Sequence, residues 1–209
     1  MRFHFKFVVY LFLIIGNSVA RADTPADLFK AVEIDAPHLV TQALVAGVDP
    51  NVRDDKGQVA LFVALRGESL QAAEALLAHP GTDVDAANAN GETPLMMAAL
   101  RGQLPWMQRL IERGAAINKS GWTPLHYAAS GPSVPAVELL VGRGAVLDAR
   151  SPNGTTPLMM AARYGAIDAA DLLLAKGADP ALRNERDLTA ADFANAAGRE
   201  PLAQRLKPR

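Results

Sequence analysis

Cysteine is absent from the 209 residues of this chain. Disulfides, thiolate metal ligands, a cysteine nucleophile and a lipid attached to cysteine are therefore excluded. An excess of charge of either sign is lacking too, since 21 lysines and arginines stand against 22 aspartates and glutamates. That balance argues against a protein that holds nucleic acid by neutralising its phosphates. Half of the residues are apolar, which is enough for a packed core.

Recognisable catalytic motifs are lacking as well. The chain has no HExxH zinc motif, no GxSxG nucleophile elbow and no Walker-type phosphate loop. His38, His79 and His126 lie far apart along the sequence, which argues against a metal cluster. We therefore expect no enzymatic activity, no cofactor and no bound metal.

The longest apolar run lies near the N-terminus, from Phe7 to Ile15, after the basic residues Arg2 and Lys6. Nine helical residues reach only ~14 Å, less than half of the ~30 Å hydrocarbon core of a membrane. The run is followed by residues 20–22, Ala-Arg-Ala, a small-x-small pattern typical of signal peptidase sites. We predict a signal peptide over residues 1–22 that is cleaved, in preference to one retained as an anchor.

Export has consequences for the rest of the chain. Removing the three basic residues of the signal leaves 18 basic and 22 acidic residues, a net charge of −4. No later segment is apolar over the ~18 residues that a membrane span needs. We therefore expect a soluble mature chain in the periplasm, with the extracellular medium as the alternative.

Three near-copies of one segment occur after the signal, at residues 91–99, 121–129 and 154–162, with weaker copies at 57–65 and 187–194. The register residue of these copies recurs at intervals of 34, 30, 33 and 33, and its positions are Val59, Thr93, Thr123, Thr156 and Thr189. A fixed period of this length is typical of a solenoid built from repeated supersecondary units.

Each unit predicts two helices. Thr93-Pro94 favours a helix start, because a threonine oxygen caps free N–H groups and proline fits the first turn. Gly102 and Gly165 are predicted to end the first helix in a conformation with positive φ. A second apolar stretch follows and is closed by another glycine, as in residues 107–114. Since one such pair cannot bury its apolar face alone, several must stack into a solenoid.

The motif Gly-x-Thr-Pro-Leu-His-x-Ala-Ala at 121–129, with the Leu-Leu-x-x-Gly-Ala ending at 173–178, resembles the ankyrin-repeat family. The resemblance covers about residues 26–206. It implies an all-α repeat solenoid of ankyrin-type helix-turn-helix units, with β-turn fingers along one edge and a concave helical face. We expect a single domain over 23–209 with about five full units and a C-terminal capping unit, starting near 26, 59, 93, 123, 156 and 189.

His126 occupies the histidine position of this motif, and the resemblance implies that its imidazole bonds neighbouring backbone. Phe62, Met96 and Met159 stand at the same position in other units. We expect the local hydrogen-bond network to be absent from those units.

The resemblance also implies that partners meet the fingers and the concave face. The predicted partner-binding residues are Arg66, Arg101, Lys119, Trp122, Arg163, Tyr164, Asn90, Asn153 and Arg186. Ser130 lies at a groove position too. Arginine, tryptophan and tyrosine are enriched at binding hot spots. The competing interpretation is a solvated arginine face with Trp122 packed on a neighbouring finger.

The 30-residue interval predicts that the finger between Asn118 and Gly121 is short, leaving a notch beside Trp122. Two interpretations remain open: neutral loop shortening, or a notch that admits a loop of the partner.

These features favour a non-enzymatic module of the cell envelope that binds one protein partner, expected as a monomer and without nucleic acid. By analogy with exported bacterial ankyrin-repeat proteins, a candidate partner is an exported enzyme that the module protects, inhibits or scaffolds. The alternative function is that of a secreted effector or a toxin-neutralising inhibitor.

Overall fold

The computed structural model describes residues 24–207, and the predicted signal peptide over 1–22 lies outside them. Twelve helices fill the described range. Their bounds are α1 Pro25–Glu33, α2 Pro37–Val45, α3 Ala60–Gly67, α4 Leu70–Ala78, α5 Pro94–Arg101, α6 Leu104–Glu112, α7 Pro124–Ser130, α8 Val134–Gly142, α9 Pro157–Arg163, α10 Ile167–Ala175, α11 Ala190–Ala196 and α12 Glu200–Arg205.

The helices form six consecutive pairs, and the pairs stack in chain order. Each odd-numbered helix packs on the even-numbered helix that follows it. The odd-numbered helices also pack on one another in order, α1 on α3, α3 on α5, and so on to α11. Between residues 24 and 207 there is no β-strand, and the one isolated β-bridge joins Arg53 to Val59. The predicted all-α repeat solenoid is therefore confirmed. No helix in this range is long and apolar enough to cross a membrane.

The first helix of a pair begins as the sequence predicts. The Thr93 side chain accepts a hydrogen bond from the Met96 N–H at 3.3 Å, and Pro94 occupies the first turn. Thr156 caps α9 in the same way. Val59 replaces this threonine before α3 and makes no side-chain cap. A threonine-to-valine change of this kind leaves an N–H of the first turn without its usual acceptor.

His126 ties its own unit to the next, as the resemblance implies. Its Nδ1 accepts from the Thr123 N–H at 3.1 Å, so Nε2 carries the proton and donates to the Thr155 carbonyl at 3.0 Å. The expectation that this network is absent from the methionine units is wrong in part. The Met96 and Met159 sulfurs accept from the N–H of their cap threonines, at 3.3 and 3.4 Å. A thioether is a weak acceptor and no donor, so it can replace the Nδ1 bond alone.

Gly102 ends α5 with a φ of +66°, as predicted, but the prediction for Gly165 is wrong. Gly165 has no positive φ. A Cβ at this position would lie 2.0 Å from the Ala129 carbonyl oxygen of the preceding unit, and at Gly131 it would lie 2.6 Å from the Leu100 oxygen. Glycine is required at these two positions because neighbouring first helices approach so closely.

The core consists largely of alanines and leucines at fixed positions of the repeat. The alanine pairs of the first helices are fully buried, as at Ala98 and Ala99, which keeps these helices thin. Leu95, Leu125 and Leu158 recur at one register position and are fully buried as well. Each buried leucine contributes about 1.5–3 kcal/mol to stability. Since the contacts of one unit are made with its neighbours, this stabilisation belongs to the stack.

A ladder of side-chain hydrogen bonds joins successive units after the second helices. Asn118 donates to the Gly144 carbonyl and accepts from the Val146 N–H, both at 2.9 Å. Asn51, Asp85 and Asp148 accept in the same way from the N–H groups of the following unit. The ladder therefore spans four junctions, and each rung satisfies a backbone donor that a turn would otherwise leave to water.

We expect Asn118→Ala to lower the free energy of unfolding by about 2 kcal/mol, because it removes two hydrogen bonds of about 1 kcal/mol each. Urea unfolding monitored by circular dichroism measures the change. Asn90→Ala is the matched control, since the Asn90 side chain is exposed and makes no hydrogen bond to residues 24–207. Equal free energies of unfolding for the two variants would contradict a stabilising role of the Asn118 hydrogen bonds.

Stability should also depend on pH through His126. Burial lowers the pKa of this imidazole, against the smaller opposing effect of the Thr155 carbonyl. The unfolded chain therefore binds a proton below pH ~6.5 that the folded chain does not, and stability falls as the pH falls, by at most about 1.4 kcal/mol per pH unit. His126→Met copies the residue of the neighbouring units and should abolish this slope. Urea unfolding at pH 7, 6 and 5 tests it, and an unchanged slope in the variant would refute the assignment.

Candidate functional site

An open cleft of about 290 Å³ lies on the face formed by the first helices. We call it the first-helix cleft. Its lining residues are Leu100 at the end of α5, Trp122 in the loop before α7, His126, Tyr127 and Ser130 on α7, and Met160 on α9. The cleft thus spans three consecutive units, and its walls are largely apolar and aromatic.

Trp122 is held in place by the buried imidazole of its own unit. The two rings meet edge to face, with centroids 5.2 Å apart and planes inclined by 76°. This is a favoured geometry for aromatic pairs. The indole is half-buried, and its remaining surface lines the cleft. The hydrogen bonds of His126 thereby fix the position of the tryptophan.

Tyr127 forms another wall, and its hydroxyl is bonded to a finger residue. The hydroxyl donates to Glu92 Oε1 at 2.7 Å, while Glu92 Oε2 accepts from the Asn88 side chain at 2.6 Å. Burial and the adjacent carboxylate raise the pKa of Tyr127 far above its usual range. The phenol therefore stays protonated.

The third finger is shorter than the others, as the 30-residue interval predicts. Four fingers are each closed by a hydrogen bond from the backbone N–H of one residue to the carbonyl of the residue four positions later. The pairs are Asp54 and Gln58, Asn88 and Glu92, Ser151 and Thr155, and Asn184 and Leu188. Residues 118–122 make no such bond. Instead, the Lys119 ammonium donates to the Gly91 carbonyl of the preceding finger at 2.6 Å. This predicted binding residue thus braces two fingers.

A second depression adjoins the first-helix cleft and shares Leu100 with it. We call it the arginine depression, and its lining residues are Arg66, Glu68, Met97, Leu100, Arg101 and Pro132. Arg101 donates to the Arg66 carbonyl at 2.6 Å and lies 3.9 Å from the mostly exposed Glu68 carboxylate. The Arg66 guanidinium lies 5.9 Å from the centre of the Phe62 ring. No carboxylate within residues 24–207 pairs with Arg66.

Three of the predicted binding residues thus line two depressions that share Leu100: Trp122 lines the first-helix cleft, and Arg66 and Arg101 line the arginine depression. Arg163 and Tyr164 follow Met160 by three and four residues at the end of α9, with the guanidinium 5.3 Å from the phenol ring. Tyr164 is 57% exposed. They extend the same face beyond the cleft.

The other predicted binding residues lie apart from the cleft. Asn90, Asn153 and Arg186 are exposed at the tips of the second, fourth and fifth fingers. Asn153 accepts from the Ser151 hydroxyl at 2.6 Å, so its side chain shapes its own finger. The structure therefore separates a cleft group from a finger-tip group.

The residues of the cleft do not form a nucleophile with a base. Ser130 and His126 both line it, but the Ser130 hydroxyl donates to the His126 backbone carbonyl at 2.8 Å. Both imidazole nitrogens are occupied by Thr123 and Thr155. Within residues 24–207, no group of three histidine or acidic side chains is placed to hold a metal ion. The arrangement is suited to binding.

Leu100, Tyr127 and Met160 are cleft residues that the sequence prediction missed. The signal was present in the repeat register. Leu100 and Ser130 both stand seven residues after the cap threonine of their unit, whereas the predicted Arg101 stands eight after it. Tyr127 and Met160 both stand four after it. Positions four and seven lie on one face of a helix, but they also include Met97 and Arg163, which do not line the cleft, so the register alone does not define its walls.

Comparison with known proteins agrees with this architecture. The chain is 35% identical over 74 residues to ankyrin repeat and SAM domain-containing protein 6 of Danio rerio, a match over 35% of this chain and 10% of that protein. It is 32% identical over 96 residues to NF-kappa-B inhibitor alpha of Sus scrofa, over 44% of this chain and 31% of that protein.

A third relative is the poly [ADP-ribose] polymerase tankyrase of Caenorhabditis elegans, 39% identical over 70 residues, which are 32% of this chain and 3% of that protein. These matches span less than a third of each relative. The family model for ankyrin repeats (3 copies) matches residues 28–120 and 107–184, which is most of the chain. Repeats of this kind generally mediate protein–protein interactions. The chain belongs to the ankyrin-repeat family.

Proposed function

We propose that this protein is an exported, non-enzymatic module that binds one protein partner through the first-helix face and the finger tips. The observation that carries the proposal is a pair of depressions, the first-helix cleft and the arginine depression, which share Leu100. They bring tryptophan, tyrosine and arginine together, the residue types that dominate binding hot spots.

Rigidity supports the same function. Two walls of the cleft are fixed by the hydrogen bonds of His126 and Tyr127, and Lys119 joins two neighbouring fingers. A preformed surface loses little conformational entropy on binding, so more of the contact energy appears as affinity. One relative, NF-kappa-B inhibitor alpha, is by its name an inhibitor, and inhibition by binding needs no reactive centre. We propose an exported enzyme as a candidate partner.

Export rests on the first 22 residues. A basic start, a nine-residue apolar run and the Ala-Arg-Ala site together support a cleaved signal peptide and residence in the periplasm. A secreted effector or toxin-neutralising inhibitor would share the signal but leave the cell.

We expect the processed protein to begin at Asp23. Intact-mass measurement after expression of the full chain in a bacterium should give the mass of residues 23–209, and fractionation should recover it with the periplasm. Ala20→Leu and Ala22→Leu together remove the small residues of the site and should leave the full mass. Processed protein found mainly in the medium would favour the effector. Unprocessed wild-type protein in the cytoplasm would contradict export.

Partner binding is tested by capture from envelope extract. The wild-type protein should retain one specific protein, and Trp122→Ala with Arg101→Ala should weaken capture at least tenfold, as expected for hot-spot residues. Glu138→Ala with Arg143→Ala is the matched control, because both residues are exposed at α8, a second helix. Circular dichroism verifies that all variants fold. Equal capture by the two double variants would contradict a site on the first-helix face.

A further inference from the structure

We propose that the first-helix cleft receives one aromatic side chain of an extended partner segment, and that an acidic residue two or three positions away in that segment pairs with Arg66 and Arg101. This proposal rests on the proposed function and specifies the chemistry of the partner. It follows from the size, the walls, the charge and the spacing of the two depressions.

The size of the cleft favours a single side chain. Sites for small molecules or cofactors have volumes of roughly 300–1,000 Å³ and enclose most of their ligand. The first-helix cleft, at about 290 Å³ and open to solvent, is at the lower limit of that range. One large side chain presented by a protein fills it, and the rest of the segment lies over the face of the helices.

The walls favour an aromatic side chain. Trp122 and Tyr127 supply ring surfaces, Leu100 supplies an aliphatic one and Met160 supplies a thioether. Aromatic rings gain from edge-to-face or offset contacts with other rings and from contact with methionine sulfur. An aliphatic side chain would gain burial alone. The three kinds of wall therefore select phenylalanine, tyrosine or tryptophan.

The charge of the adjoining depression favours an acidic neighbour. Arg66 and Arg101 line it, and Glu68 is the one carboxylate among its lining residues. Their net charge is therefore positive on a mature chain of charge −4. Guanidinium groups pair well with carboxylates, and opposite charges across an interface guide association. A basic partner segment would be repelled here.

The spacing follows from helix packing. The cleft is centred on α7, and the nearer of the two arginines, Arg101, stands at the end of the adjacent helix α5, whose Leu100 lines both depressions. Adjacent packed helices lie roughly 8–10 Å apart. An extended segment rises ~3.3 Å per residue, so two or three residues cover that distance. Either chain direction satisfies this geometry.

Glu68 competes with the proposed carboxylate. Its side chain lies 3.9 Å from Arg101 and is mostly exposed, so the internal ion pair is weak. Glu68→Gln removes this competitor without touching the cleft. It should strengthen binding of an acidic segment, which is an unusual outcome for a substitution at an interface and is specific to this proposal.

The experiment selects binders from a displayed library of random 12-residue peptides, using the purified protein expressed from the full chain as the immobilised target. Enriched peptides should carry an aromatic residue with Asp or Glu two or three positions away, on either side. The best peptide is then synthesised in its original form, with the aromatic residue changed to Ala, and with the acid changed to the matching amide. Titration calorimetry measures the Kd of each. We expect losses of about tenfold for the aromatic change and about two- to fivefold for the acidic change.

Protein variants identify the two contacts. Ser130→Phe replaces a small lining residue by a ring that fills the cleft, leaves its aromatic walls in place, and should weaken binding of the original peptide about tenfold. In Arg66→Gln with Arg101→Gln, the acid-to-amide change should cost less than about twofold, because the acid has lost its partners. Glu68→Gln should tighten binding about twofold, and Arg143→Gln, at the end of α8, should have no effect. Thermal unfolding verifies the fold of each variant.

Several outcomes overturn the proposal. The proposal is wrong if no peptide is enriched, or if the enriched peptides lack an aromatic residue or are basic. It is also wrong if the acid-to-amide change weakens binding to the double arginine variant as much as it weakens binding to the wild-type protein. Failure of the wider function is distinguishable. If the envelope partner is captured in a Trp122-dependent and Arg101-dependent manner but Ser130→Phe binds it normally, the first-helix face is the site and the aromatic anchor is wrong. If peptides bind as stated but no partner is captured, the proposed function is wrong.

Discussion

The structure depends on contact between one repeat and the next, because no helix pair buries its own apolar surface. Close approach is what makes this contact effective. At Gly165 a single Cβ would meet the carbonyl oxygen of Ala129 at 2.0 Å, so the backbone of one unit rests directly on the other. The rung at Asn118 and the bond from His126 to Thr155 then fix the register between units. Stability and shape are therefore properties of the whole stack.

The candidate site is produced by the same contacts. His126 bonds across a unit boundary, is buried by the next unit, and holds the ring of Trp122 edge-on. Tyr127 reaches back to Glu92 on the preceding finger, and Lys119 reaches back to Gly91. The residues that line the first-helix cleft are thus supported from both neighbouring units. A surface made rigid in this way can distinguish partners by shape and by charge without any chemical step.

The first-helix cleft and the arginine depression differ in chemistry. The apolar cleft supplies burial, and Arg66 and Arg101 supply charge next to it. The third finger is the short one, and the half-buried Trp122 lies in the segment that leads from it into α7.

The sequence by itself determined the period, the helix pairs, the cap threonines and the family, because these follow from local propensity and from a repeated pattern. It also indicated Trp122 and the arginines as candidates by residue type. Only the tertiary structure decided that Leu100, Tyr127 and Met160 join Trp122 in one cleft, since each comes from a different unit or turn. It also decided that Gly165 serves packing, whereas Gly102 serves a positive φ, and that methionine sulfur replaces part of the imidazole network. Such outcomes depend on distances across units of about thirty residues, which propensity and spacing within one unit do not contain.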